Sequence, residues 1–269
     1  MKTRAITGFF FIIVLVGAVL LGPYAFVPFF GLVGLLSVLE FYGLIRSEST
    51  QPLRILGTLS ALFIVGLFAG YFLGFTPLKA TLLSVLPVLA ISLCALFRKT
   101  INPIQDIGFT LMGIMYAAVP FTFFIALGFI SGTFNPYLPL GFLILLWTND
   151  TGAYLSGRSF GRTKLFERIS PNKTWEGFIG GVVLAVVVAL NLAQYFGTLS
   201  RVEWAAVALI IGVFGTLGDL VESMLKRTLG VKDSGSILPG HGGFLDRFDG
   251  LLVAAPLVYI FLEFVVYAH

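Results

Sequence analysis

Nine apolar runs, each about as long as a helix must be to cross a bilayer, limit this chain more than any other feature. They cover residues 5–22, 24–45, 55–75, 78–97, 107–130, 138–156, 175–197, 203–221 and 250–268, separated by charges or Pro/Gly clusters. A spanning helix needs roughly 17–25 predominantly apolar residues. Inside the hydrocarbon every backbone N–H and C=O must be paired within its own segment, so such runs are helices. Only 11% of the residues are charged, against about 25% in soluble domains, which excludes a water-soluble globule of this size. The expected fold class is all-α: a polytopic membrane protein with about nine transmembrane helices. The opening MKTRAITGFFFIIVLVGAVLLG has the basic start of a secretory signal. Its apolar length and the similar segments after it make it the first span, uncleaved. The weakest division is the minimal turn at Gly22-Pro23.

The positive-inside rule orients the bundle. With the N-terminus cytoplasmic, fifteen Lys and Arg fall on the inner side, and Lys79 and Arg201 alone on the outer side, accounting for all 17. Two charged loops, 157–174 and 226–249, then share the cytoplasmic face. Net charge is +4, but this distribution reads as topology, and no nucleic-acid partner is expected. The single cysteine, Cys94, excludes a disulfide framework and a cysteine metal site; a buried, inert thiol is expected. Residues 1–137 form the N-terminal transmembrane part, about five spans serving as scaffold and candidate dimer contacts. Residues 138–269 form the C-terminal part and carry the chemistry.

The second half places acids where a bilayer makes them expensive: Asp150 in LLWTNDTGAY, Asp219 and Glu222 in GTLGDLVES, Asp246 and Asp249 in FLDRFDG. A carboxylate at the centre of a span costs on the order of 2.5–3.5 kcal/mol on insertion scales and requires a partner. Asp219, Glu222, Ser223, Lys226 and Arg227 follow a helical spacing that predicts one face, as do Asp246 and Asp249. Two helices offering carboxylate pairs to one centre make a hard, oxygen-rich site that suits Mg²⁺ better than zinc. The plainer reading is that these acids pair with Lys226, Arg227 and Arg247 and only hold the bundle together.

Between the last two spans lies KDSGSILPGHGGFLDRFDG, with five glycines in residues 232–250. Its PGHGGF turn lets backbone approach a phosphate closely, although any tight turn at a membrane edge uses Gly and Pro. His241 lacks the second histidine of a zinc site; it either donates to a phosphate or fixes the loop. In GRSFGRTKLFERISPNKTWEG, Ser170-Pro171-Asn172-Lys173-Thr174 puts a lysine among hydroxyl and amide donors just before a helix. The N-terminal amides of that helix favour an anion. Lys173 is the cation best placed for a phosphate; Arg158, Arg162, Lys164 and Arg168 serve equally well as topology signals or headgroup contacts.

SMLKRTLGVKDSGSILPGHGGFLDRFD resembles the signature of the phosphatidate cytidylyltransferases, or CDP-diacylglycerol synthases. The resemblance rests on Ser223, Lys226, Arg227, Lys232, Asp233, Pro239, His241, Gly242, Gly243, Asp246, Arg247 and Asp249. NDTGAYLSGRSFGRTKL and SPNKTWEG are similar to the family's other motifs, so the resemblance spans roughly residues 147–250. It implies transfer of CMP from CTP to phosphatidic acid, giving CDP-diacylglycerol and pyrophosphate, with Mg²⁺ required; the carboxylates have room for a second cation, whose identity the sequence does not give. It further implies a homodimer, a bacterial-type plasma-membrane location and an active site facing the cytoplasm. On this reading Asp219, Asp246 and Asp249 are metal ligands, joined by Glu222 and with Asp150 a ligand or a support behind them. Lys173, Lys226, Arg227 and Arg247 hold phosphates of CTP and lipid; Asn172, Ser223 and Lys232 add contacts; Gly240, His241, Gly242 and Gly243 shape the nucleotide loop. The alternatives are an ion-coupled transporter, whose usual mark is intramembrane acids, a CTP-dependent lipid-alcohol kinase, an enzyme that consumes CDP-diacylglycerol, and a purely structural membrane scaffold.

Overall fold

The computed structural model describes residues 2–235 and 242–267. All nine apolar runs are helical. In chain order the elements are α1 (Lys2–Leu20), α2 (Pro23–Ile45), α3 (Arg54–Phe72), a 3₁₀ stretch (Leu78–Ser84) leading into α4 (Val85–Ala95), and α5 (Pro103–Gly113). A π turn (Ile114–Ala118) joins α5 to α6 (Val119–Leu127), next to Pro120, which has no N–H to give the carbonyl four residues back. There follow α7 (Tyr137–Phe160), β1 (Lys164–Phe166), β2 (Ser170–Thr174), α8 (Trp175–Tyr195), α9 (Arg201–Thr228) and α10 (Leu245–Phe261). Among the described residues, seven helical stretches are long and apolar enough to cross a membrane. Within the first run, Gly8–Leu20 is an apolar helical segment among the described residues. The run at α7 is not among the seven, because its middle carries Thr148, Asn149, Asp150 and Thr151.

Helix ends follow local chemistry. Gly22 takes φ +99° and Pro23 opens α2, so the minimal turn between the first two helices uses the residue pair best suited to it. Ser200 and Glu203 form a reciprocal capping box at the start of α9. Helices α7 and α9 extend past the predicted spans, and the expected open loop 157–174 instead contains an antiparallel hairpin with Lys164 opposite Thr174 and Phe166 opposite Ser170.

The chain divides into two compact units, residues 1–126 with 233–247, and residues 127–232 with 248–269. In the first, Phe26, Phe30 and Phe124 are fully buried against one another, with ring centroids 4.8–5.8 Å apart. Tyr42 is buried and donates its hydroxyl to Thr110 O at 2.7 Å, and Gly113 leaves room for its ring. In the second, Trp204 is fully buried against Gly141. Large apolar side chains such as Phe10, Leu20, Leu89 and Leu93 are exposed on the helices, as a bilayer-facing surface requires. Cys94 corrects the sequence reading: the thiol is exposed on α4, because apolar segments in a membrane protein can face lipid as readily as core.

Candidate active site

The second unit is built on close helix approach. A Cβ on Gly152 of α7 would lie 3.1 Å from the Cα of Gly181 on α8, and one on Gly177 would lie 3.1 Å from the Cα of Gly157. Small residues facing each other let the backbones touch. This packing carries Asn149 and Asp150 past α8 towards α9. Asn149 is buried, and its amide donates to Thr216 Oγ1 at 3.4 Å.

The hairpin is tied to the start of α8. Thr174 caps the helix by accepting from Gly177 N at 3.1 Å. Trp175 N donates to Thr163 O at 2.9 Å. The Glu176 carboxylate accepts from Arg162 N at 3.1 Å and Thr163 N at 3.2 Å. Lys164 Nζ donates to Pro171 O at 2.6 Å. Held in this way, β2 presents Lys173, whose ammonium pairs with Asp219 Oδ2 of α9. Asp219 Oδ1 accepts from Ser223 Oγ at 3.2 Å. Around this pair opens a cavity of about 550 Å³. Asp150, Arg158, Asn172, Lys173 and Asp219 supply its polar wall, and Leu165 and Phe178 are part of its apolar lining.

A second close approach brings in α10. A Cβ on Gly218 would meet the carbonyl oxygen of Asp249 at 2.5 Å and the Cα of Gly250 at 3.2 Å. The absence of side chains there lets Asp249 come within electrostatic range of Asp219, Glu222 and Asp150. Glu222 is buried and paired with Lys226 Nζ at 2.6 Å, one turn on.

Not every residue of the α9 series shares this centre. Arg227 is exposed and donates to Val231 O at 3.3 Å. Eight residues at 100° each put it about 80° round the helix from Asp219. Lys232 is exposed at the end of this unit's first segment.

Asp246, Gly242, Gly243 and Arg247 belong to the first unit, where Arg247 is exposed. Asp246 Oδ2 accepts from Ser234 N, Ser234 Oγ and Gly243 N, each at 2.9 Å. Gly242 takes φ +78°. The residue missed in the sequence is Glu40. Buried near the end of α2, it accepts from Ser234 Oγ, from Phe244 N at 2.8 Å and from Leu245 N at 3.1 Å, and so satisfies amides at the start of α10. A Cβ on Gly243 would overlap its carboxylate. The signal was available: a carboxylate inside an apolar span needs a partner, as Asp219 does. His241 and Gly240 lie outside the described residues.

Among the described residues, no three His, Cys, Asp or Glu side chains converge into a metal cage. Mg²⁺ does not need one: it keeps several waters and is held by one or two carboxylates plus substrate phosphates. Asp219 and Asp249, drawn together by the Gly218–Gly250 contact, match that donor set.

The chain is similar to known proteins along almost its whole length. The profile of the cytidylyltransferase family matches residues 2–265. A phosphatidate cytidylyltransferase of Staphylococcus aureus is 37% identical over 97% of this chain and 99% of its own. That of Bacillus subtilis is 35% identical over 97% of each chain, and that of Staphylococcus haemolyticus 35% identical over 97% of this chain and 99% of its own. A match running through the N-terminal helices as well as the acidic and basic motifs leaves one conclusion: the chain belongs to the cytidylyltransferase family.

Proposed function

We infer that the protein transfers CMP from CTP to phosphatidic acid, giving CDP-diacylglycerol and pyrophosphate. The observation that carries this is the cavity in which Lys173 and Arg158 face Asp219 and Asp150 within a bundle of apolar helices. Two polyanions have to meet there, so the chemical problem is repulsion. A phosphate-monoester oxygen of phosphatidic acid attacks the α-phosphorus of CTP, and the bond from that phosphorus to the bridging oxygen of pyrophosphate breaks. The attacking oxygen is already anionic near neutral pH, so no proton has to be removed and no triad or thiol nucleophile is needed. Catalysis is then alignment and charge neutralisation. Lys173 can exchange its pairing with Asp219 for a phosphate oxygen, Arg158 offers a planar donor fork, and the capped start of α8 favours an anion.

Asp219 and Asp249 are the proposed holders of Mg²⁺, with Glu222 and Asp150 sustaining the negative field and Asp246 ordering the Gly242-Gly243 turn. Bound there, the ion would offset charge on the α-phosphate and the departing pyrophosphate. We place the active site on the cytoplasmic face of a bacterial plasma membrane, supported by the charge asymmetry of the loops and the bacterial relatives. The proposed assembly is a homodimer, to be read from the mass of the solubilised protein. Purified protein incubated with radiolabelled CTP, phosphatidic acid and Mg²⁺ tests the reaction. Pyrophosphate and labelled CDP-diacylglycerol are expected; release of CDP or CMP instead would assign it to a kinase or to an enzyme that consumes CDP-diacylglycerol.

A further inference from the structure

The first unit contains a larger cavity, lined by none of the residues assigned above to the reaction. At one end of that unit the segments 46–53 and 96–102 meet. Arg98 Nη1 donates to Gln51 O at 2.8 Å, and Asn102 Nδ2 to Ser49 O at 3.3 Å. Helix α5 braces them: Asp106 Oδ1 accepts from Gln51 N at 2.6 Å, and Thr110 Oγ1 from Leu53 N at 2.8 Å. Beside this braced corner lies a cavity of about 930 Å³, within the range of ligand sites.

Its chemistry is two-sided. Leu39, Leu56 and Leu59 contribute apolar wall, while Arg46, Arg54 and Arg98 bring three guanidiniums from three separate chain segments. Among the described residues no carboxylate lines it, and none of the three arginines is in an ion pair. Arg98 spends one donor on Gln51 O, leaving most of its fork unused. The Thr58 hydroxyl, also in the lining, is buried without a hydrogen-bond partner among the described residues. Arginines near span ends can act purely as orientation signals, but such a signal requires neither a shared cavity nor an apolar wall beneath it. Inorganic phosphate would leave that wall empty.

We propose that this cavity binds an anionic phospholipid, its phosphate held by Arg46, Arg54 and Arg98 and an acyl chain lying along the leucine wall. Planar guanidinium forks match phosphate oxygens, and the positive end of α3, whose first turn lines the cavity, adds to the attraction.

Cys94 reports on the site directly. It is the only cysteine in the chain, is exposed, and lines the cavity. The full-length protein is reconstituted in phosphatidylcholine vesicles with or without phosphatidylglycerol, and the rate of Cys94 alkylation by an uncharged maleimide is measured. Occupancy slows labelling by the factor 1 + [L]/Kd, about fivefold at four times Kd. Protection by phosphatidylglycerol and not by phosphatidylcholine alone is expected. Retention of phosphatidylglycerol in native mass spectra of solubilised protein is also expected, and both should be lost in the Arg46→Gln/Arg54→Gln/Arg98→Gln variant. The corresponding triple Lys variant, which keeps the charge, should recover part of the protection and controls for folding. Equal protection by both lipids, protection by inorganic phosphate alone, or unchanged protection in the triple Gln variant would overturn the proposal. None of these readouts depends on CMP transfer.

Discussion

Gly218→Ala tests whether helix approach sets the catalytic geometry. The added methyl would lie 2.5 Å from the Asp249 carbonyl oxygen, whereas ordinary contact begins at 3.4 Å. Both obstacles, that oxygen and the Gly250 Cα at 3.2 Å, are backbone and cannot rotate away. Helices α9 and α10 must therefore separate by about 1 Å, carrying Asp219 and Asp249 apart. A misplacement of about 1 Å costs on the order of 10²-fold in rate, or about 2.7 kcal/mol of transition-state stabilisation. Overpacking itself costs about 1–3 kcal/mol of stability.

The neighbouring Gly215 is the internal control. Its added methyl would meet Leu146 Cδ1 at 3.0 Å, with backbone no nearer than 4.0 Å. That side-chain end can shift, so Gly215→Ala should lose no more than a few-fold in rate. The assay is steady-state conversion of labelled CTP to CDP-diacylglycerol in mixed micelles, with thermal unfolding recorded on the same preparations. Equal turnover in the two variants, both near wild type, would refute the claim that glycine-mediated backbone contact positions the carboxylates.

Other perturbations separate chemistry from scaffolding. Lys173→Met should reduce turnover by about 10²-fold while costing under about 1 kcal/mol of stability, since the Lys173–Asp219 pair is partly exposed and screened; kinetics and thermal unfolding together check this. Lys226→Met leaves the Glu222 carboxylate buried without its ammonium and should destabilise by about 3–5 kcal/mol. The Lys226→Met/Glu222→Gln double variant should regain most of that stability without regaining activity, which a denaturation series shows. Glu40→Ala removes the acceptor for the Phe244 and Leu245 amides and should cost about 1–3 kcal/mol, with Glu40→Gln milder in the same unfolding experiment. Chelation by EDTA should abolish CMP transfer, and Mg²⁺ should restore it, while the unfolding temperature of the substrate-free protein stays unchanged.

Much of the fold is local chemistry, legible along the sequence. Bilayer thickness sets helix length one segment at a time, so the apolar runs and the Gly22-Pro23 turn could be read by position. The motif residues were legible for the same reason, as fixed spacings along single segments. Partnership is different, because it depends on which helices touch. Asp219 pairs with Lys173 from the hairpin before α8 rather than with a cation of its own helix, while Lys226 turns to Glu222 and Arg227 to a backbone carbonyl. Glu40 finds its partners 194 and 205 residues along the chain, and Cys94 proves to face outward. Sequence alone determined where the chain crosses apolar surroundings and which side chains are chemically able. Only tertiary packing, through glycines that let backbones meet, decided which charges neutralise one another, since an ion pair depends on distance in space and not on separation in sequence.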